Sequence, residues 1–216
     1  MKTLIASILL FLFATTPLRA ETEISLYGGV QSAPSSRVSG HDPGGVGSFN
    51  FTAKWEGESF DVPPYYGARV TWWRNDRVGY GVELNHAKVI ATDASRAANG
   101  FSTLEFSDGI NIVTANVFYR WPDNARRWTP YAGVGFGIAI PHVEVATAGG
   151  ETKEYQLAGP AVQAVAGVSY ALNDRWSVFG EYKATYSENR VELDNSGSLE
   201  TNIMTNAVNL GVAVRF

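Results

Sequence analysis

The sequence predicts an all-β fold, an eight-stranded antiparallel transmembrane β-barrel that follows an N-terminal signal peptide. Three observations predict this architecture. The chain opens on an apolar leader, eight later segments alternate apolar and polar residues with a period of two, and the links between these segments are in turn long and short. The composition agrees, because 6 Trp, 10 Tyr, 11 Phe and 22 Gly favour strands over helices.

Residues 1–20 are typical of a secretory signal peptide. Lys2 precedes the apolar run Leu4–Ala14, and Ala20 is a small residue at the expected cleavage point. The run is too short to cross a bilayer as a helix, so it does not predict a membrane anchor. We therefore divide the chain into a signal peptide over 1–20 and an outer-membrane β-barrel domain over 21–216.

Charge and motif content exclude several functions for the part after the signal peptide. Removing Lys2 and Arg19 from the 17 basic residues leaves 15 against 21 acidic ones, a net charge near −6, so nucleic acid is not expected as a partner. The absence of Cys excludes disulfides and thiolate metal sites. The sequence contains no NAD, flavin or haem motif and no Ser-His-Asp spacing that indicates a hydrolase.

The last segment shows the alternation most clearly. Met204, Val208 and Phe216 share one face, whereas Asn209 and Arg215 lie on the other. The apolar face suits lipid, and the polar face suits a packed lumen. The lipid-side residues of the other segments are Ile24, Leu26, Val30; Tyr66, Ala68, Val70, Trp72; Tyr80, Val82, Leu84; Val113, Ala115, Val117, Tyr119, Trp121; Ala132, Val134, Phe136, Ile138, Ile140; Val162, Ala164, Ala166, Val168, Tyr170, Leu172; and Trp176, Val178, Gly180, Tyr182, Ala184, Tyr186. A soluble lipocalin-like barrel would turn these faces inward, but the polar face is too sparse for a solvated wall.

The lengths of the connections predict the orientation. Tight links at 75–77, 122–127 and 173–175 are typical of periplasmic turns, and longer links are typical of extracellular loops. The long links are 34–64, 90–107, 145–158 and 189–202. An aromatic girdle beside the tight turns supports this orientation, and it comprises Tyr80, Trp121, Trp128, Tyr170 and Trp176. We expect a monomer with both termini in the periplasm. The final Phe216 resembles the signal that the outer-membrane insertion machinery reads.

The inward positions carry the charges of the predicted barrel. They form an expected lumen network of Arg69, Glu83, Arg120, Glu181, Lys183 and Arg215. An eight-stranded barrel is just wide enough for side chains to fill it, so we expect paired charges and no open pore. The alternative is a proton or ion path through the same residues.

All three histidines are predicted at the extracellular rim. His41 lies in the first long link, His86 at the outer end of the third predicted strand and His142 at the outer end of the fifth. Continued alternation places two pairs on the lipid side, His86 with Lys88 and His142 with Glu144. One strand separates the two pairs, which puts them about 10 Å apart. We predict catalytic roles for His41, His86, His142 and Glu144, with His86, His142 and Glu144 as candidate ligands of a divalent transition metal. The alternative is that polar residues simply end each strand where the hydrocarbon ends.

The first long link is unusually long for a hairpin and contains Phe49, Phe51, Trp55 and Phe60. These aromatics predict a lid that folds over the barrel mouth or onto the membrane surface. Its Ser, Gly, Asp and Pro content fits a variable exposed loop equally well. Asp42, Trp55 and Lys88 are the predicted substrate-binding residues.

Several strings resemble the lipid A oxidase family of rhizobia and related α-proteobacteria, and the resemblance spans nearly the whole mature chain. They are Asp42-Pro43-Gly44-Gly45, Pro63-Pro64-Tyr65-Tyr66-Gly67, Thr71-Trp72-Trp73-Arg74-Asn75-Asp76, Glu83-Leu84-Asn85-His86-Ala87-Lys88, Pro141-His142-Val143-Glu144, Gly159-Pro160-Ala161-Val162-Gln163 and the run from Asn173 to Lys183. The resemblance implies oxygen-dependent oxidation of the proximal glucosamine of lipid A to 2-aminogluconate, with peroxide as co-product. It implies outer-leaflet lipopolysaccharide as the partner and assigns no catalytic residues.

Two other functions remain open. A non-enzymatic barrel of the OmpA/OmpX type would stabilise the membrane or bind partners through its loops. A lipid A deacylase or acyltransferase would share the architecture, but the sequence offers no convincing nucleophile for it.

Overall fold

The computed structural model describes residues 21–123 and 125–216. The predicted signal peptide over 1–20 lies outside the described residues. In the described part, no helix combines the length and apolar character needed to cross a bilayer.

Twelve strands, one short α-helix and one turn of 3-10 helix (Asp194–Ser196) make up the regular structure of the described chain. The strands are β1 (Glu21–Ser32), β2 (Ser36–Asp42), β3 (Gly47–Ala53), β4 (Trp55–Glu56), β5 (Tyr66–Trp73), β6 (Val78–Ala91), β7 (Thr103–Arg120), β8 (Trp128–Thr147), β9 (Gly150–Tyr155), β10 (Gly159–Ala171), β11 (Trp176–Leu193) and β12 (Gly197–Arg215). The helix, α1, spans Asp93–Ala98, and the side chain of Thr92 caps its N-terminus by accepting from the backbone N–H of Ser95.

Eight of these strands close into a ring. Their order is β1-β5-β6-β7-β8-β10-β11-β12, and β12 pairs with β1. Following the paired residues around the ring from Thr22 leads back to Ser32, ten residues further along β1. A stagger of this kind accompanies strands that tilt by roughly 35–45° against the barrel axis. The eight ring strands contain the eight predicted segments, so the predicted fold class is confirmed.

The four remaining strands extend the wall at the end of the long links. The β2–β3 hairpin pairs with β12 beyond the point where β1 ends, and His41 lies opposite Ser198. β4 pairs with the end of β6, and β9 pairs with the end of β8. The interpretation of 34–64 as a lid or a free loop is therefore wrong for most of its length. Its Gly and Ser content is typical of loops, but apolar residues at alternate positions bury its inner face.

The outer surface of the ring carries an exposed apolar band. Its members include Leu26, Val30, Val82, Val117, Val134, Phe136, Val162, Val208 and Leu210. At the tight-turn end, Tyr80, Trp121, Trp128 and Trp176 are about half exposed. Two of the tight turns are built alike, because the side-chain oxygens of Asn75 and Asn173 each accept two backbone N–H groups that follow them.

Buried charges fill the lumen in the half nearer the tight turns. Arg69 donates to Glu83 at 2.7 Å and to Glu181 at 2.9 Å, and Lys183 pairs with Glu83 and lies 3.7 Å from Glu181. Tyr131 donates to Glu181 at 2.7 Å. Two cations thus balance two carboxylates, and neutral side chains satisfy the remaining lone pairs.

A second set of ion pairs lies at the mouth of the tight-turn end. Arg120 pairs with Glu21 at 3.2 Å and stacks over the ring of Trp73 at 3.9 Å. Arg215 pairs with Glu23 at 2.8 Å. The structure therefore gives all six residues of the predicted lumen network an ion pair inside or at the mouth of the barrel.

The other half of the lumen is apolar. Its buried residues include Val38, Trp55, Val89, Leu104, Phe106, Ile110, Ile112, Val143, Val145, Val191, Leu199 and Ile203, and Phe49 and Phe51 pack against them. The expectation of a polar lumen is thus wrong for this half. The reason is strand length: β7, β8, β11 and β12 continue past the predicted segments, and their inward residues there are apolar. Side chains fill most of both halves of the lumen, and a cavity of about 30 Å³ remains beside Arg69, Trp73 and Arg120.

Replacing Arg69 by Met tests whether the charge network is internally balanced. The variant leaves Glu83 and Glu181 with a single ammonium group, and an uncompensated buried charge costs about 3–5 kcal/mol. Urea unfolding in lipid vesicles, followed by the heat-modifiable mobility of the folded barrel, measures the loss. As a control, Arg190→Met removes only exposed pairs with Glu188 and Glu200 and should cost below about 1 kcal/mol. Equal losses in both variants would contradict the network.

Candidate functional site

A bulge in β7 shapes the outer wall where the long links begin. Between the pairs Glu105–Glu144 and Ile110–Pro141, four residues of β7 lie opposite two of β8. On the other side, three residues of β7 lie opposite Lys88 alone. The two extra residues push the backbone out of the ladder. We call 107–109 the β7 bulge and the outward surface around it, from Lys88 to His142, the ledge.

His86 lies beneath one side of the bulge. Its position on β6 points outward, as the alternation predicts, but only 3% of the residue is exposed. Its ring stacks on Tyr66 with 5.0 Å between centroids, and Nδ1 lies 2.9 Å from the Asn111 side-chain oxygen. The backbone of Gly109 covers the ring so closely that a Cβ there would overlap it. Among the described residues, Nε2 has no hydrogen-bond partner.

His142 lies beneath the other side of the bulge. Its Nδ1 is 3.5 Å from a carboxylate oxygen of Asp108, and its ring packs on Tyr155 with 4.7 Å between centroids. About half of the Asp108 side chain is exposed, whereas His142 is 6% exposed. A carboxylate beside an imidazole is an arrangement that general acid–base chemistry uses.

Lys88 and Glu144 complete the polar side chains of the ledge. Lys88 is buried, and its ammonium lies 3.5 Å from the backbone oxygens of Asp61 and Val62. Glu144 accepts a hydrogen bond of 2.9 Å from Lys153, and this bond together with the carboxylate charge raises the pKa of Lys153. The prediction that these side chains face the head-group layer openly needs correction. They lie on the outward side, but Asp61 and Val62 of the first long link contact Lys88, and Lys153 of β9 pairs with Glu144.

The candidate metal ligands do not form a common site. Asn111 lies between His86 and Ile140 across the sheet, so His142 is two strands away and two residues further along. Strand geometry then puts their Cα atoms about 12 Å apart. In the described part of the chain, no three His, Cys, Asp or Glu side chains gather closely enough to hold a metal ion. His86, His142 and Glu144 as they are placed do not fit a metal centre.

The family of the chain can be stated at this point. Its sequence matches the model of the outer membrane protein beta-barrel domain over residues 5–216. The chain belongs to this family. It is therefore an outer-membrane β-barrel, and the exposed band is its membrane-facing surface. No curated protein sequence matches it.

Three solved structures show the same barrel fold. Neisserial surface protein A is 12% identical, with 90% of this chain and 97% of that chain covered and a TM-score of 0.51. OprG from Pseudomonas aeruginosa is 9% identical, with 91% of this chain and 96% of that chain covered and a TM-score of 0.51. The outer membrane protein AlkL is 15% identical, with 94% of this chain and 93% of that chain covered and a TM-score of 0.53. At these identities the similarity concerns the fold, and the oxidase activity stays a prediction.

Three predicted site residues of the barrel lie away from the ledge. His41 is exposed on β2, beside β12, with Nδ1 3.1 Å from the Ser48 hydroxyl. Asp42 is buried and accepts a hydrogen bond of 2.6 Å from Thr147. Trp55 points into the apolar core, so it contacts no lipid. His41 is therefore not beside His86 and His142, because the β2–β3 hairpin joins the wall at β12 and not at β6.

Sequence reasoning missed Asp108 and Gly109. The dipeptide is a turn signal inside an otherwise regular strand pattern, and such a signal can mark a bulge. The two residues lie between the link assigned to 90–107 and the predicted strand that begins near Val113, so the alternation did not include them. Asp108 contacts His142 and Gly109 covers His86, which makes the bulge the element that connects the two sides of the ledge.

Replacing Gly109 by Ala tests whether the bulge covers His86. Gly109 has a φ of +87°, and its new Cβ would overlap the imidazole, so we expect the bulge to move outward. Diethyl pyrocarbonate should then modify His86 faster, as measured by peptide mass spectrometry. Gly47→Ala is the matched control, since its φ is +71° but no atom lies within 4 Å. An unchanged rate at His86 in the Gly109 variant would contradict the covering role.

Proposed function

We propose that the protein acts on the head group of lipid A at the ledge and oxidises the proximal glucosamine to 2-aminogluconate. The observation that carries the proposal is the placement of Lys88, His86 and His142 on the outward side, directly beyond the apolar band. Leu84, the outward residue before His86, is 37% exposed, and Ile138, two outward positions before His142, is 42% exposed. The filled lumen leaves the outer surface as the place for chemistry. The choice of lipid A rests on the family resemblance.

The proposal includes an orientation. We place the tight turns and both termini in the periplasm and the long links outside the cell. Short turns and the aromatic girdle at one end support this placement. The ledge then lies at the level of the outer-leaflet head groups, where lipid A is anchored. We further propose that the protein acts as a monomer.

The reaction balances with oxygen as the electron acceptor. The anomeric carbon of the glucosamine hemiacetal loses two electrons and two protons, and oxygen becomes hydrogen peroxide. Water opens the resulting lactone to the carboxylate, so the sugar gains one oxygen atom overall. His142, which lies beside Asp108, would accept the proton of the anomeric hydroxyl. Lys88 would offer a positive charge to anionic groups of the lipid. His86 and His142 must first be uncovered, which requires movement of the β7 bulge.

A non-enzymatic barrel of the OmpA/OmpX type is the second candidate. The burial of both ledge histidines and the absence of a metal-binding set among the described residues favour it. Its function would then lie in the exposed tips of the hairpins. A deacylase or acyltransferase gains no support, because among the described side chains of the ledge no hydroxyl forms a hydrogen bond with His86 or His142.

Mass spectrometry of lipid A tests the oxidase directly. Expression of the protein should add one oxygen atom to the sugar, and both His142→Ala and His86→Ala should abolish this product while the barrel stays heat-modifiable. Asn202→Ala, an exposed outward residue on β12 across the ring, is the control and should leave the product unchanged. Full activity in the His86/His142 double variant would disprove the ledge as the site. A change in acyl chains would indicate the deacylase or acyltransferase, and no change at all would favour the non-enzymatic barrel.

We also propose that Phe216 is the point of contact with the outer-membrane insertion machinery. The residue is 75% exposed, and its backbone pairs with Thr22 of β1, which completes the ring. Its side chain is therefore available before and after closure.

A further inference from the structure

The segment 58–64 between β4 and β5 carries two strongly exposed apolar side chains. Phe60 is 77% exposed and Val62 is 91% exposed. Most aromatic residues of the same link, including Phe49, Phe51 and Trp55, pack on the apolar core instead. Phe60 and Val62 therefore need another partner than the interior of the barrel.

The segment is held firmly against the wall. The Ser59 hydroxyl accepts from the backbone N–H of Gln31 at 2.9 Å, and the backbone carbonyl oxygen of Ser59 accepts from the backbone N–H of Tyr65 at 2.9 Å. Tyr65 itself is buried. The two ends of the segment are thus fixed, and residues 60–62 project from a defined position.

That position is on the outward side of the barrel. The backbone oxygens of Asp61 and Val62 lie 3.5 Å from the ammonium of Lys88, which occupies an outward position of β6. Tyr66 begins β5 opposite His86 and is 42% exposed as a member of the apolar band. Phe60 and Val62 therefore continue the band beyond its upper margin.

The opposite side of the ledge has a matching apolar border. Tyr155, which packs on His142, is 57% exposed, and Leu157 is 68% exposed. The polar strip of Lys88, Asp108 and His142 thus lies between two apolar projections. An apolar surface that surrounds polar groups at this height matches the boundary between acyl chains and head groups of a bilayer.

We propose that Phe60 and Val62 insert into the lipid leaflet at the long-link end and hold Lys88 at the level of the lipid head groups. Continuity with the membrane-facing band favours lipid as the occupant. Two projecting side chains are too small a patch for a stable protein interface, which requires on the order of 1,000 Å² of buried surface. The inference needs the outer-membrane barrel but not the oxidase activity.

The chain contains no Cys, so single-cysteine variants can be labelled at one site without background. Val62→Cys, labelled with an environment-sensitive dye, is reconstituted into phosphatidylcholine vesicles that contain phosphatidylcholine with a nitroxide near the glycerol. Leu210→Cys, in the exposed band, is the buried-in-lipid control, and Ser198→Cys, on an exposed outward position near the end of β12, is the aqueous control.

We expect the dye at residue 62 to show blue-shifted emission and strong quenching by the nitroxide, with quenching at least several-fold above that of Ser198→Cys. Emission and quenching equal to those of Ser198→Cys would overturn the proposal. If the dye at residue 62 is shielded from water in native outer membranes but exposed to water in the phosphatidylcholine vesicles, the proposal is overturned in favour of a protein partner. The heat-modifiable mobility of each variant verifies that the barrel is folded, and lipid A chemistry does not enter either measurement.

Discussion

The pairing of β1 with β12 is the interaction on which the rest of the structure depends. The two strands hydrogen-bond from Glu23–Arg215 to Ser32–Asn206, and Phe216 adds a last pair with Thr22. A strand edge cannot be left unpaired in hydrocarbon, so this closure is what permits a sheet to span a membrane. Once the ring is closed, every side chain points either to the lipid or to the lumen, and the period of two assigns each residue to one of these surfaces.

The side chains inside the barrel then stabilise the fold. Arg69 and Lys183 bind Glu83 and Glu181 in one half, and an apolar core fills the other half. The chemical function that we propose therefore uses the outer wall, which is irregular at the β7 bulge. Strand pairing is interrupted there on both sides of β7, next to the buried imidazoles of His86 and His142. The ledge that we propose as the site therefore coincides with the irregular part of the wall.

Much of this fold follows from local sequence pattern, and the ledge does not. Alternation predicts the outward side of His86 and His142 correctly, because side-chain direction depends only on position along a strand. Their burial depends on Asp108 and Gly109, which reach across to β6 and β8 after two extra residues enter β7. Local alternation likewise does not predict the strands within 34–64, because pairing with β12 near Leu199 stabilises their hairpin. Contacts between residues distant in sequence decide both features.

The central claim is that the barrel is sealed and works on its outer surface. Conductance across a planar bilayer that contains the purified protein tests it most directly. A filled lumen predicts no discrete current steps at any applied voltage. Sustained ion-conducting steps that change in the Arg69→Met variant would show a path through the charge network, and that result would contradict the account.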